Sequence, residues 1–274
     1  MTKTILSYGA GVNTFYLLLK LPEWGIKPDY AVFADTGNEN PATYKHLEEV
    51  AIPEMERQGL EFKVVKHPKW ANLLEYTLFT WKMPPRTKFR GQGRYCTTMF
   101  KLDQIVKFEK SVREGDERFI NLIGIAYDEI HRMSYVGLRR WIDNVHPLIE
   151  RHITRPDCIT GIRLMGHPIP PKSGCDFCPF QKKSQWARNL RDNPTAIQDG
   201  IEIETRFNQK MTEKLAAKGL VRTTNFTLRY DGQLLADWLK NGASKEVENI
   251  TKLEKFEAAQ TFLDETCDMG SCFT

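Results

Sequence analysis

The segment "PPKSGCDFCPFQ" sets two cysteines, Cys175 and Cys178, three positions apart among prolines and small residues. That spacing brings two thiolates onto one metal ion or cluster, or poises them for disulfide exchange. The exchange chemistry expects a thioredoxin-like context, which is missing here. A tetrahedral zinc site needs ligands beyond this pair, and Cys158, Cys267, Cys272 or a histidine are candidates for its fourth. Cys267 and Cys272, in "DETCDMGSC", suit a thiol arm: persulfide carriers, a resolving pair, extra ligands or plain exposed thiols. Cys158, in "PDCITGI", reads as a buried helix cysteine.

The second candidate is "ILSYGAGVNTF", where a short apolar stretch meets two glycines and then a helical pattern. Small residues at Gly9, Ala10 and Gly11 let backbone N–H groups approach an anion, and the following helix N-terminus favours negative charge. Asn13 and Thr14 are side-chain donors to that anion or helix caps. The same residues also make an ordinary tight turn. The spacing excludes the G-x-x-x-x-G-K-[ST] loop, and Thr14 stands where G-x-G-x-x-G needs its last glycine.

These loops need elements to hold them. Residues 3–7, 29–34, 61–66 and 118–126 read as strands, and 13–21, the stretch after Pro41, and 97–112 as helices. Strands alternating with helices predict an α/β fold, a parallel sheet of about five strands flanked by helices. A mainly helical C-terminal extension follows, giving a domain at 1–142 and a cysteine-containing region at 143–274. In such sheets ligands bind beyond the carboxyl ends of the strands, where the glycine loop and "DTGNEN" both fall. Residues 67–93, rich in tryptophan, proline and basic side chains, read as an active-site excursion or lid.

Composition narrows the class. The 274 residues carry 39 basic and 35 acidic side chains, an excess that permits an anionic substrate without demanding nucleic acid. No apolar run approaches the roughly 20 residues that span a bilayer, and the start does not read as a secretory signal. The expectation is a soluble, cytoplasmic protein that does not engage a membrane. Six cysteines in this length do not make a secreted disulfide scaffold.

"SYGAGVNT" followed by "FADTGNENPATYKHL" resembles the PP-loop ATP pyrophosphatase superfamily, in its phosphoadenylyl-sulfate reductase-like branch, which is similar to DNA phosphorothioation sulfurtransferases. The family loop S-G-G-x-D-S corresponds here to Gly9, Ala10, Gly11, Val12, Asn13 and Thr14, preceded by Ser7. Asn for Asp and Thr for Ser are mild changes; Gly9 loses a hydroxyl. The resemblance implies a nucleotide site from these residues with Asp35, Thr36, Gly37 and Glu39. "GRYCTTMFKLDQI" resembles the R-x-C-T-x-x-x-K segment, adding Arg94 and Lys101 as phosphate contacts, Lys101 also as a catalytic candidate. "IGIAYDEIHRM" adds Gly124, Asp128 and Arg132, although Asp128, Glu129 and Arg132 also read as solvated helix-start charges with an i,i+3 or i,i+4 pair. Cys96, Cys175 and Cys178 would ligate a [4Fe–4S] cluster, with Zn2+ the alternative.

Three functions follow from the resemblance. The first cleaves ATP, with Mg2+, to AMP and pyrophosphate and thiolates an activated acceptor, a nucleic acid among the candidates, with a cysteine desulfurase as sulfur source. The second reduces adenylyl sulfate (APS) or its 3′-phosphorylated form (PAPS), using Cys272 or Cys267 as nucleophile and a thioredoxin-like partner. The third is a degenerate nucleotide or nucleic-acid binding module in which basic residues alternate with Trp70, Trp81 and Phe89. The oligomeric state is open, with a homodimer as one candidate.

Overall fold

The computed structural model describes residues 2–82, 95–133 and 139–268, with 257–268 by backbone alone. The chain forms two compact units, Met1–Cys175 and Asp176–Thr274. The first contains, in order, β1 (Thr2–Ser7), α1 (Val12–Lys20), β2 (Tyr30–Asp35), α2 (Pro41–His46), α3 (Ile52–Arg57), β3 (Glu61–Lys66) and α4 (Leu73–Thr80). It continues with α5 (Tyr95–Thr97), α6 (Asp103–Val112), β4 (Arg118–Ile123), β5 (Ile142–Val145), α7 (Pro147–Glu150) and α8 (Arg155–Leu164). The sheet order is β3-β2-β1-β4-β5, and every pairing is parallel. The expected α/β sheet is present.

Strand composition matches position. β2, "YAVFAD", is buried from Ala31 to Asp35, as the continuous apolar run of a covered parallel strand should be. β3, "EFKVVK", stays half-exposed along its length and sits at an edge. Alternate residues feed two cores: Leu6, Ala31, Phe33 and Leu122 pack with α1 and α8, and Ile5, Val32, Ala34 and Phe119 with α6.

Helix irregularities also have causes. Asn40 caps α2, its side chain accepting from Ala42 N at 2.9 Å, and Pro41 takes the first helical position. A π-helical turn, Leu47–Ala51, then leads into α3. Pro53 lies just beyond it and lacks the N–H that an α-helical ladder would need there.

A division between residues 142 and 143 would cut β5, whose Ile142 packs in the core with Ile5 and Phe119. α8 then joins the other core through Cys158 and Ile162, so the sheet unit runs on to Cys175. The sequence hid β5 because "IDNV" is short and half polar, an edge strand with little alternation to read.

The second unit holds α9 (Lys183–Asp192), α10 (Pro194–Ala216), α11 (Leu235–Asn241) and α12 (Ala243–Asp268), helical as expected. Trp186, Ile197, Leu228, Leu235 and Trp238 are fully buried there. Buried Glu204 accepts the backbone N–H groups of Leu228 and Leu235, both at 2.7 Å, pinning the segment before α11. No helix among the described residues is long and apolar enough to cross a membrane.

Candidate functional site

Five parallel strands end on one edge, and β1 and β4 sit side by side there with their connections leaving in opposite directions. That crevice is where an open parallel sheet receives ligands. Tyr8 N still bonds Val32 O at 2.9 Å, after which the chain turns through Gly9–Gly11 into α1. Ala10 adopts φ 51°, a left-handed conformation unusual for a residue with a Cβ, so the turn is held in a defined and mildly strained shape. Gly11 caps α1 without a side-chain bond, and the helix's first turn carries no acid. Its N–H groups are therefore left to a ligand or water. Asn13 does not cap the helix. Thr14 is buried, and its Oγ1 lies 3.5 Å from where a Cβ on Gly9 would stand. Gly124, after β4, allows this approach: a Cβ there would meet Thr14 Cα at 2.8 Å.

The end of β2 carries a denser network. Asp35 accepts from Tyr44 Oη at 2.6 Å and Gly37 N at 2.8 Å, and pairs with Lys66 at 2.9 Å. Burial pushes the Asp35 carboxyl up, but these three partners outweigh it and hold it below the usual carboxylate range. Gly37 has φ 72° where the chain folds back against Asn72, which explains glycine at this position. Thr36 and Glu39 are almost fully buried. Thr36 Oγ1 stands 3.5 Å from Glu39 Oε1 and 3.5 Å from Cys175 Sγ. Lys101 Nζ donates to Glu39 Oε1 at 2.6 Å. Glu39 also forms an antiparallel bridge with Cys175, so backbone pairing fixes that thiol beside the loop. Lys101 is thus turned to Glu39 and the thiols, with Cys175 and Cys96 both acting on its charge.

The turn after β4 places the remaining candidates. Asp128 Oδ1 accepts from Arg155 N at 3.0 Å. Glu129 accepts from Arg132 at 2.6 Å and from Asn13 Nδ2 at 3.0 Å. Arg132 and Glu129 are the i,i+3 pair that the spacing allowed. The Asn13 amide is completed by Arg155 Nη1, which donates to its Oδ1 at 3.3 Å.

Cys96 and Cys175 belong to the first unit and Cys178 to the second. Among the described residues, no group of three or more His, Cys, Asp or Glu side chains is gathered to hold a metal ion. Cys158 is fully buried in α8, its thiol pushed up to about 12 by burial, and is inert. Arg94 and Cys272 lie outside the described residues, as does the side chain of Cys267 near the end of α12.

The basic segment at 181–191 spends much of its charge within its own unit. Lys183 pairs with Asp231 at 3.0 Å, Arg188 with Glu254 at 2.7 Å, and Arg191 with Glu254 at 2.5 Å. Trp70 packs edge-on against Tyr76 at 5.4 Å, while Trp81 ends α4 in a left-handed conformation. Phe89 lies outside the described residues. Three site residues were missed from the sequence: Tyr44, Lys66 and Arg155. Tyr44 reaches back from α2 to Asp35, nine positions earlier, a contact that no local spacing announces. Lys66 was legible from register, since it stands directly opposite Asp35.

No family model matches the chain, and no curated protein does. Among solved structures it is similar to the phosphoadenylyl-sulfate (PAPS) reductase from Candida auris in a phosphate complex. The identity is 12% and the TM-score 0.46, over 64% of this chain and 82% of that one. It is also similar to the U34-tRNA thiolase NcsA from Methanococcus maripaludis with its [4Fe–4S] cluster, at 14% identity and TM-score 0.43. That likeness covers 75% of this chain and 72% of that one.

Proposed function

We propose that the protein is an adenine-nucleotide-dependent sulfur-transfer enzyme. ATP sits with its phosphates at the Gly9–Thr14 loop, an acceptor oxygen attacks the α-phosphorus, and pyrophosphate leaves. The acceptor is then an adenylate, and a sulfur nucleophile displaces AMP from it. The observation that carries this reading is the placement of Cys175 against Thr36 and Glu39, on the loop whose sequence resembles a nucleotide site. A nucleotide loop with a thiol fixed against it brings an activated group and sulfur chemistry to one place.

The residues divide the work. The N–H groups opening α1 stabilise charge that develops on the departing pyrophosphate. Lys101 favours the thiolate of a neighbouring cysteine over its thiol. Mg2+ comes with the triphosphate as part of the substrate, held by phosphate oxygens and water. The acceptor offers a carbonyl or phosphoryl oxygen, as a nucleic acid does, and a persulfide donor of the cysteine desulfurase kind supplies the sulfur: its outer sulfur attacks, AMP leaves with the activated oxygen, and a second thiol cleaves the resulting mixed disulfide, freeing the thiolated acceptor and ending as a disulfide with the donor cysteine.

The test is ATP–pyrophosphate exchange measured beside sulfite release. Exchange without sulfite supports the proposal. Sulfite from APS or PAPS in the absence of ATP would replace it with the reductase reading and its C-terminal nucleophile, Cys272 or Cys267. Salt-dependent nucleic-acid binding with neither activity would leave a binding module.

A further inference from the structure

We infer that Arg155, the first residue of α8, is a phosphate-binding residue of the Gly9–Thr14 loop and that Asn13 aims it there. The inference rests on the nucleotide reading of that loop and adds a residue to it. α1 and α8 start beside each other: Asn13 meets Arg155 in their first turns, and a Cβ on Gly161 would stand 2.3 Å from the Tyr16 ring further along both helices. α8 is fixed at this end by a capping box, Thr154 with Asp157, and by Asp128, which accepts the Arg155 backbone N–H at 3.0 Å. The Arg155 backbone is thus held on two sides while its side chain reaches across to α1.

A guanidinium has five N–H donors, and one of them is engaged by Asn13 Oδ1. Among the described residues no carboxylate pairs with this guanidinium. The nearby acids are occupied: Glu129 by Arg132 and Asn13, Asp128 by the Arg155 backbone. The remaining donors are left for a ligand with several acceptor oxygens, and Arg155 offers the fork that suits phosphate.

A second observation points into the same place. Thr14 is 7% exposed, and its hydroxyl, which makes no hydrogen bond among the described residues, faces the Gly9 turn. That hydroxyl is free to donate to an anion at the opening of α1.

This also gives the identity of residue 13 a reason. An aspartate would pair with Arg155 and neutralise it. The asparagine carbonyl orients the guanidinium and leaves its charge for the β- and γ-phosphates, which become the pyrophosphate.

Calorimetric titration of the full chain with inorganic pyrophosphate and, separately, with adenosine tests the assignment. Arg155→Gln should weaken pyrophosphate at least tenfold and leave adenosine within twofold. Arg155→Lys should fall between the two, and Asn13→Asp should also weaken pyrophosphate. Pyrophosphate affinity unchanged in Arg155→Gln would overturn the assignment and leave the nucleotide reading standing. An equal loss of both ligands would reduce Arg155 to a structural residue. A wild-type protein that binds neither ATP nor pyrophosphate would overturn both.

Discussion

Lys101 donates to Glu39 at 2.6 Å, and the second oxygen of that buried carboxylate has no hydrogen-bond partner among the described residues. Burial pulls the Lys101 ammonium down, but Glu39, then Cys175 and Cys96, hold it above the ordinary lysine value. Lys101→Met leaves Glu39 charged and uncompensated, which should cost about 2–4 kcal/mol in urea unfolding. A Lys101→Met, Glu39→Gln double variant should recover most of that loss. Alkylation of Cys175, followed by peptide mass spectrometry, should slow in Lys101→Met. An unchanged rate would remove Lys101 from the thiol chemistry.

Two glycines of the site should respond oppositely to a side chain. A Cβ on Gly124 meets Thr14 Cα at 2.8 Å and Thr14 N at 3.0 Å, backbone atoms that cannot yield. Gly124→Ala should cost about 1–3 kcal/mol and shift the start of α1, lowering nucleotide affinity. Among the described residues Gly9 has only Thr14 Oγ1 within reach, at an ordinary 3.5 Å. Gly9→Ser should leave stability within about 0.5 kcal/mol of wild type. Thermal unfolding of both variants checks the contrast, and equal losses would contradict it.

The parts of the fold visible in the sequence were those with strong periodicity: "YAVFAD" as a buried strand, Pro41 as a helix start, and Cys158 as a core cysteine. β5 was hidden by its length. The site was legible as segments, because the ends of β1, β2 and β4 carry it. What could not be read was which side chains satisfy one another. That Asn13 is shared by Glu129 and Arg155 depends on residues 116 and 142 positions away. No local spacing encodes contacts of that range.

Glu109 should make stability fall with rising pH. It lies fully buried on α6 with Asn121 of β4 beside it, and burial pushes its carboxyl up to about 7. The native state then keeps a proton that the unfolded chain gives up near pH 4.5. Its contribution is complete below that value and is lost as pH rises through about 7, a difference of about 3 kcal/mol. Glu109→Gln should flatten this slope. Urea unfolding at pH 5 and pH 8 measures it, and identical slopes in the two proteins would rule Glu109 out as the source.

The second unit should show the reverse dependence through Asp231. Arg229 is almost fully buried, stacks on Trp238 at 4.5 Å, and pairs with Asp231 and Glu246, both at 3.0 Å. Burial raises the Asp231 carboxyl, but Arg229 and then Lys183 overcome it and hold it down at about 2. A carboxyl lowered in the native state stabilises the fold above its ordinary value and loses that contribution as pH falls through about 2. The amount is about 2 kcal/mol. Arg229→Met strands Asp231 and Glu246 beside an emptied position and should cost about 3 kcal/mol. The tryptophan signal of Trp238 follows it directly, because the cation leaves the ring face. Acid titration of that signal should begin at higher pH in Arg229→Met than in wild type. A midpoint that does not move would assign the low value of Asp231 to Lys183 and the Gln233 N–H instead.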